Sequence, residues 1–99
     1  MSLGDDASVD SVSATVRLVN RNGLHARPAH LFVQVANGFS AEVRVAKGDG
    51  DAVDGKSIMS MMTLAAPHGA ELVIHSSGSD AADQVAALCK LVEDGFDED

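Results

Sequence analysis

Two residues whose side chains can accept or bind a phosphoryl group, His25 and Arg27, stand close together in the first third of the chain and are followed directly by Pro28. An unprotonated imidazole nitrogen is a nucleophile near neutral pH, so a histidine can accept a phosphoryl group. A guanidinium two residues further on can donate charge-assisted hydrogen bonds to phosphate oxygens. The group predicts a site where His25 carries a phosphoryl group and Arg27 stabilises it.

A helix that begins near His25 is predicted by apolar residues at i, i+3, i+4 and i+7, which are Ala29, Phe32, Val33 and Ala36. Pro28 fits the first turn of this helix, because N–H groups there have no intrahelical partner. His25 then faces unpaired N–H groups and the positive end of the helix dipole. This field binds an anion and disfavours imidazolium, so a ring nitrogen stays nucleophilic.

Alternating apolar residues and turn signals predict four strands, at residues 12–19, 39–46, 52–54 and 70–76. A short helix with the spacing Ile58, Met61, Met62, Ala65 follows Ser57, which can cap it, and a last helix ends before Gly95. The order is β-α-β-β-α-β-α. Because each of the three helices has one apolar stripe, the pattern predicts an α+β fold with the helices on one face of a four-stranded, mostly antiparallel sheet.

The net charge of -8 arises at the two ends of the chain. Eight of the 15 acidic residues lie before residue 11 or after residue 92, and the section between them has as many acidic as basic residues. The sequence therefore predicts one domain at residues 12–95, a flexible acidic segment at residues 1–11 and a solvated acidic tail at residues 96–99.

Composition disfavours several classes of function. An acidic chain without Trp or Tyr is not typical of nucleic-acid-binding proteins. No run of 18 apolar residues and no basic, apolar leader is present, so we expect a cytoplasmic protein without a membrane span. The single cysteine, Cys89, excludes an internal disulfide and a cysteine-based zinc site, and a buried structural thiol is expected.

Metal binding by the four histidines is the alternative from another class. These residues are His25, His30, His68 and His75. The first two are five residues apart, not four, so their rings do not stack on one helix face. No Gly-rich nucleotide loop and no Ser/His/acid cluster is evident, so we expect neither a cofactor nor self-sufficient catalysis.

Two segments resemble the HPr family, the histidine phosphocarriers of the sugar phosphotransferase system. Gly-Leu-His-Ala-Arg-Pro-Ala, from Gly23 to Ala29, resembles the family's active-site signature. Gly55-Lys56-Ser57-Ile58-Met59 is similar to the Lys-Ser-Ile-Met that opens its middle helix. The element order also agrees from about residue 12 to residue 95, although Ala65-Ala66-Pro67 replaces a Gly-containing segment. The resemblance implies an open-faced β-sandwich with strand order 1-4-2-3.

The resemblance also implies a function. His25 would accept a phosphoryl group on Nδ1 from phosphorylated enzyme I and pass it to an enzyme IIA domain in sugar uptake, so the chain would be a monomeric carrier and not an enzyme. Arg27 would steady the phosphate and Pro28 would set the helix start. Ser57, apart from its role as an N-cap, would be a regulatory site for HPr kinase/phosphorylase. A carrier of the nitrogen-regulatory branch is the alternative within the same fold.

Ile58, Met59 and Met62 are the predicted partner contacts, because methionine adapts to several unrelated surfaces. Met59 lies off the apolar stripe of its helix and is predicted to be exposed, whereas Met61 is predicted to face inward. For Met62 the pattern leaves both roles open.

Overall fold

The computed structural model describes residues 10–98. The predicted flexible segment thus falls almost wholly outside the described residues, as does Asp99. Within residues 10–98 the elements follow the predicted order. They are β1 Ser11–Arg17, α1 Ala26–Ala36, β2 Glu42–Lys47, β3 Val53–Asp54, α2 Ile58–Met62, β4 Glu71–Ser77 and α3 Ala81–Glu93, followed by a 3-10 turn at Gly95–Asp97.

The strands form one four-stranded sheet in the order β1-β4-β2-β3, and every neighbouring pair is antiparallel. The register aligns Ser13 with His75 and His75 with Arg44 across the solvent-facing side. The helices cover the other side. The α+β class and the strand order implied by the resemblance are both confirmed.

The core lies between the sheet and the helices. Its fully buried side chains come from both layers and include Phe32, Val45, Leu72, Ile74 and Leu88. Each such side chain contributes about 1.5–3 kcal/mol by leaving water. Cys89 is half-buried at the edge of this core. Burial, and secondarily the charge of Glu93, raises the pKa of its thiol.

Strand β2 begins at Glu42, three residues later than predicted. The carboxylate of Asp80 accepts 2.8 Å hydrogen bonds from the backbone N–H groups of Ser40 and Ala41. The Nζ of Lys56 donates to the carbonyl of Phe39 at 2.8 Å. Side chains therefore hold the backbone of residues 39–41 in a loop, although its sequence alternates as in a strand.

Helix α2 ends at Met62, before the predicted last residue Ala65. Ala65 has a φ of 48°, in the left-handed region that non-glycine residues rarely occupy. Here the chain leaves the helix in one left-handed step. A glycine at this position would make the step without strain.

The end of the described chain corrects the prediction of a solvated tail at residues 96–99. Phe96 is only 1% exposed and packs in the main core. Gly95, Phe96 and Asp97 all have φ between 57° and 67°, so the chain turns back after α3. Burial of one aromatic side chain outweighs the preference of the neighbouring acids for water, and the tail is folded at least as far as Glu98.

Candidate functional site

His25 is the N-cap of α1. Its backbone is extended (φ -95°, ψ -170°), and its carbonyl accepts the first helical hydrogen bond, from Ala29 at 3.0 Å. The side chain does not cap the helix. Because N–H groups in the first turn have no intrahelical acceptor, those of Ala26 and Arg27 can receive an anion. No acidic residue in this turn offsets their positive field.

The imidazole of His25 is held from one side only. Its Nε2 lies 3.0 Å from Oε1 of Glu98. The same oxygen accepts a 2.9 Å hydrogen bond from Nδ2 of Asn20, which also donates to the carbonyl of Gly23 at 2.7 Å. Nδ1 of His25 makes no hydrogen bond within residues 10–98, and the side chain is 40% exposed. Nδ1 is therefore the available nitrogen.

The charge of Glu98 decides which nitrogen carries the proton. The hydrogen bonds from His25 and then from Asn20 lower the pKa of this carboxyl, and the positive charge of Arg27 acts in the same direction. An ionised carboxylate has no proton to donate, so Nε2 of His25 must be the donor. In the neutral ring this leaves the lone pair on Nδ1.

A tight loop presents His25. Gly23 has a φ of 65°, and Leu24 donates its N–H to the carbonyl of Ala66 at 2.9 Å. A Cβ at position 23 would lie 2.5 Å from the Ala66 oxygen and 2.8 Å from Pro67. Only glycine allows this close approach of the two loops.

Arg27 and Pro28 are both in the first turn of α1. The Arg27 side chain is exposed and makes no hydrogen bond to any residue from 10 to 98, so it is available to an incoming anion. Pro28 is buried and occupies a position where its missing N–H costs nothing. Both lie where the sequence predicted, beside His25.

Ser57 is the N-cap of α2, as predicted, and its hydroxyl accepts a 3.2 Å hydrogen bond from the N–H of Ser60. Its roughly one-turn helix packs against α1. Met59 is 79% exposed and Met61 is fully buried, so both burial predictions are confirmed. Ile58 and Met62 are also exposed, which makes the outer face of α2 apolar.

Two residues of the site were missed from the sequence: Glu98 and Asn20. The acidic composition predicts that Glu98 lies in a solvated tail, and no local pattern indicates that residue 98 returns to residue 25. The sequence pattern predicts no role for Asn20. Its burial, at 1% exposure, follows from the covering tail.

No hydrogen bond joins His25 to another histidine among residues 10–98. His30 and His68 are exposed, and Nδ1 of His75 contacts the Ser13 hydroxyl at 2.6 Å on the open sheet face. Among residues 10–98 there is no group of three or more His, Cys, Asp or Glu side chains that could hold a metal ion. In the same part of the chain no helix has the length and apolarity to cross a membrane.

Comparison with known proteins decides the family. The family model described as the PTS HPr component phosphorylation site matches residues 12–94. The chain belongs to the HPr family. The resemblance found in the sequence is confirmed, and HPr family members are phosphocarriers of the phosphotransferase system.

Individual HPr relatives agree over most of their length. The phosphocarrier protein HPr of Pseudomonas aeruginosa is 42% identical over 83 residues, which are 84% of this chain and 92% of that protein. The phosphocarrier protein NPr of Escherichia coli K12 is 32% identical over 89 residues, 90% of this chain and 99% of that protein. The crystal structure of an HPr from Thermoanaerobacter tengcongensis has a TM-score of 0.84 and 40% identity, covering 89% of this chain and 98% of that one.

Proposed function

We propose that His25 accepts a phosphoryl group on Nδ1 from phosphorylated enzyme I and passes it to an enzyme IIA domain. One observation carries the choice of atom: Nε2 of His25, the N-cap of α1, lies 3.0 Å from Oε1 of Glu98, while Nδ1 makes no hydrogen bond to any residue from 10 to 98. The Nδ1 lone pair forms the new N–P bond as the bond between phosphorus and the donor's ring nitrogen breaks. Onward transfer reverses these roles, so the chain is a stoichiometric carrier that needs no cofactor.

Arg27 and the start of α1 receive the phosphoryl oxygens. The N–H groups of Ala26 and Arg27 point along the helix dipole, and the Arg27 guanidinium adds a mobile positive charge. Pro28 sets the start of the helix, which fixes where these donors lie. Transfer then depends on positioning and electrostatics, with the partner excluding water from the exposed ring.

The outer face of α2 is the docking surface for these partners. Ile58, Met59 and Met62 expose apolar area on a helix that packs against α1. Flexible methionines allow one small surface to fit two unrelated proteins, the donor and the acceptor. On this proposal the carrier works as a monomer in the cytoplasm, where phosphorylated enzyme I and the IIA domains meet it.

Incubation with enzyme I and phosphoenolpyruvate, followed by intact-mass measurement, tests the acceptor. We expect one acid-labile phosphoryl group on the wild type, none on His25→Ala, and normal labelling of His30→Ala, which removes an exposed histidine from the same helix. Equal labelling of wild type and His25→Ala would refute the assignment.

The nitrogen-regulatory branch is the second candidate, supported by the 32% identity to an NPr over nearly the whole of both chains. The two branches use the same chemistry and differ in the donor and acceptor proteins. Mixing the phosphorylated carrier with a sugar-branch and a nitrogen-branch IIA domain in competition separates them. We expect faster transfer to the sugar-branch domain, and the reverse order would assign the chain to the nitrogen branch.

Ser57 is proposed as a regulatory site, the substrate of an HPr kinase/phosphorylase. Its hydroxyl opens the helix that bears the docking surface, so a phosphate there adds negative charge beside Ile58 and Met59. We expect Ser57→Asp to accept phosphoryl groups from enzyme I more slowly than wild type. Ser13→Asp, which adds the same charge on the open face of the sheet, is the matched control. A wild-type rate for Ser57→Asp would contradict the proposal.

A further inference from the structure

We propose that Glu98 is a positioning residue that keeps the proton on Nε2 of His25 throughout phosphoryl transfer. The inference rests on the proposed function of His25 and adds a role for the end of the chain. Its basis is the 3.0 Å contact between Oε1 of Glu98 and Nε2, supported by a second donor, Nδ2 of Asn20, at 2.9 Å on the same oxygen.

Before transfer, the contact selects the reactive tautomer. A neutral imidazole has an N–H on one ring nitrogen and an available lone pair on the other. A hydrogen bond at one nitrogen determines which of the two carries the proton. With Nε2–H donating to Glu98, the lone pair is on Nδ1. The carboxylate thus fixes both the direction of the ring and its nucleophilic atom.

After transfer, the contact between Nε2 and Glu98 joins two groups of opposite charge. When the Nδ1 lone pair forms the N–P bond, no proton leaves the ring, so the phosphorylated ring carries a positive charge shared between its nitrogens. The negative carboxylate of Glu98 stabilises this form. When the phosphoryl group moves on, the N–P electron pair returns to Nδ1 and the neutral ring is restored. A ring that keeps its Nε2 proton is the better leaving group, so Glu98 keeps the phosphoryl group transferable.

The packing and backbone geometry of the tail fix the position of Glu98. Phe96, 1% exposed, anchors the segment in the core two residues before Glu98. Phe96 and Asp97 both adopt left-handed backbone angles, an arrangement that non-glycine residues adopt at a cost. Asn20, which also holds the Gly23 carbonyl, joins the tail to the loop that carries His25.

Charged side chains of both signs are carried by the elements around the ring: Glu98 and Asp97 by the tail, Arg27 by the first turn of α1 and Arg21 by the loop before it. Glu98 faces Nε2 from the tail, and Arg27 extends from the first turn of α1, near enough to influence Glu98. From the loop after α2, only His68 adds a titratable side chain, and it is exposed. The phosphoryl group on Nδ1 also favours the protonated ring, to the same extent in wild type and variants, and Glu98 is the side chain that contacts the Nε2 proton directly.

Glu98→Gln tests the inference, since glutamine keeps the size and an acceptor oxygen but loses the charge. Glu93→Gln is the matched control, the same change at an exposed position of α3. The protein is labelled with ¹⁵N, studied by NMR as purified, and then phosphorylated with phosphoramidate, a small-molecule donor that needs no enzyme I. The tautomer of free His25 and the pH midpoint at which phosphorylated His25 loses its Nε2 proton are the two measurements.

We expect Nε2–H as the dominant tautomer in wild type and Glu93→Gln, and a mixture in Glu98→Gln. The midpoint of the phosphorylated ring should fall by about one pH unit in Glu98→Gln, reducing the protonated fraction above the midpoint about tenfold. An unchanged tautomer and midpoint would overturn the inference while leaving His25 as the acceptor. Failure of enzyme I to label the wild type would instead refute the proposed function, and the tautomer measurement would still test the contact.

Discussion

The backbone N–H of Leu24 donates a 2.9 Å hydrogen bond to the carbonyl oxygen of Ala66. This bond fastens the loop that presents His25 to the segment that follows α2. Ala65, immediately before the acceptor, has a φ of 48°. The histidine is therefore held in part by a backbone segment under local strain.

Replacing Ala65 with glycine should relieve that strain. An L-residue other than glycine costs about 1–2 kcal/mol in the left-handed region. Glycine avoids this cost, but its greater flexibility in the unfolded chain offsets part of the gain in stability. We expect Ala65→Gly to raise the free energy of unfolding in urea by about 0.5–1 kcal/mol. Ala86→Gly, in the exposed interior of α3, should lower it by about 1 kcal/mol. A loss of stability in both variants would show that Ala65 is not strained.

Gly23→Ala should damage the site through a clash, and Gly48→Ala isolates that effect. Both glycines have similar positive φ, 65° and 58°, but a Cβ at Gly48 meets nothing within 4 Å. We expect Gly48→Ala to cost about 1–2 kcal/mol. Gly23→Ala should cost about 1–3 kcal/mol more and slow phosphorylation by enzyme I. Equal costs in thermal unfolding would contradict the clash at Ala66 and Pro67.

Met59 and Met61, two residues apart in α2, should respond in opposite ways to replacement by alanine. Met61→Ala empties part of the core, so we expect a loss of about 2–5 kcal/mol in unfolding free energy. Met59→Ala, at 79% exposure, should change stability by less than about 0.5 kcal/mol but raise the KM of enzyme I for the carrier several-fold. A normal KM for Met59→Ala would remove it from the docking surface.

Asp80 should make stability depend on pH. Hydrogen bonds from the N–H groups of Ser40 and then Ala41 lower its pKa in the folded state and outweigh the opposing effect of burial. Its stabilisation is therefore complete above the unfolded pKa, about 3.9, and is lost as the pH falls through the lower folded pKa. We expect Asp80→Asn to lower the Tm at pH 7 and to approach the wild-type Tm near pH 2. Asp83→Asn, one turn along α3, is the control, and a gap between Asp80→Asn and wild type that is the same at both pH values would rule out this mechanism.

Local patterns predicted the element order, the start of α1 and the burial of Met61, because periodicity and capping act over a few residues. Sequence alone did not predict the later start of β2, since Asp80 and Lys56 reach that loop from distant parts of the chain. The same holds for Glu98 and His25, which are 73 residues apart. A single buried phenylalanine brings them together, and nothing in the acidic composition of the tail indicates its path.

The return of the tail to His25 determines where a label can be attached. A fluorophore or affinity tag fused directly after Glu98 would begin beside the imidazole and would compete with partner proteins for it. Strand β1 ends at Arg17, shortly before the loop that presents His25. Ser11, at the start of β1, pairs with Ser77 of β4 and lies about 20 Å from Arg17, because β1 has seven extended residues. Attachment before Ser11 therefore leaves the reactive ring free for binding and transfer measurements.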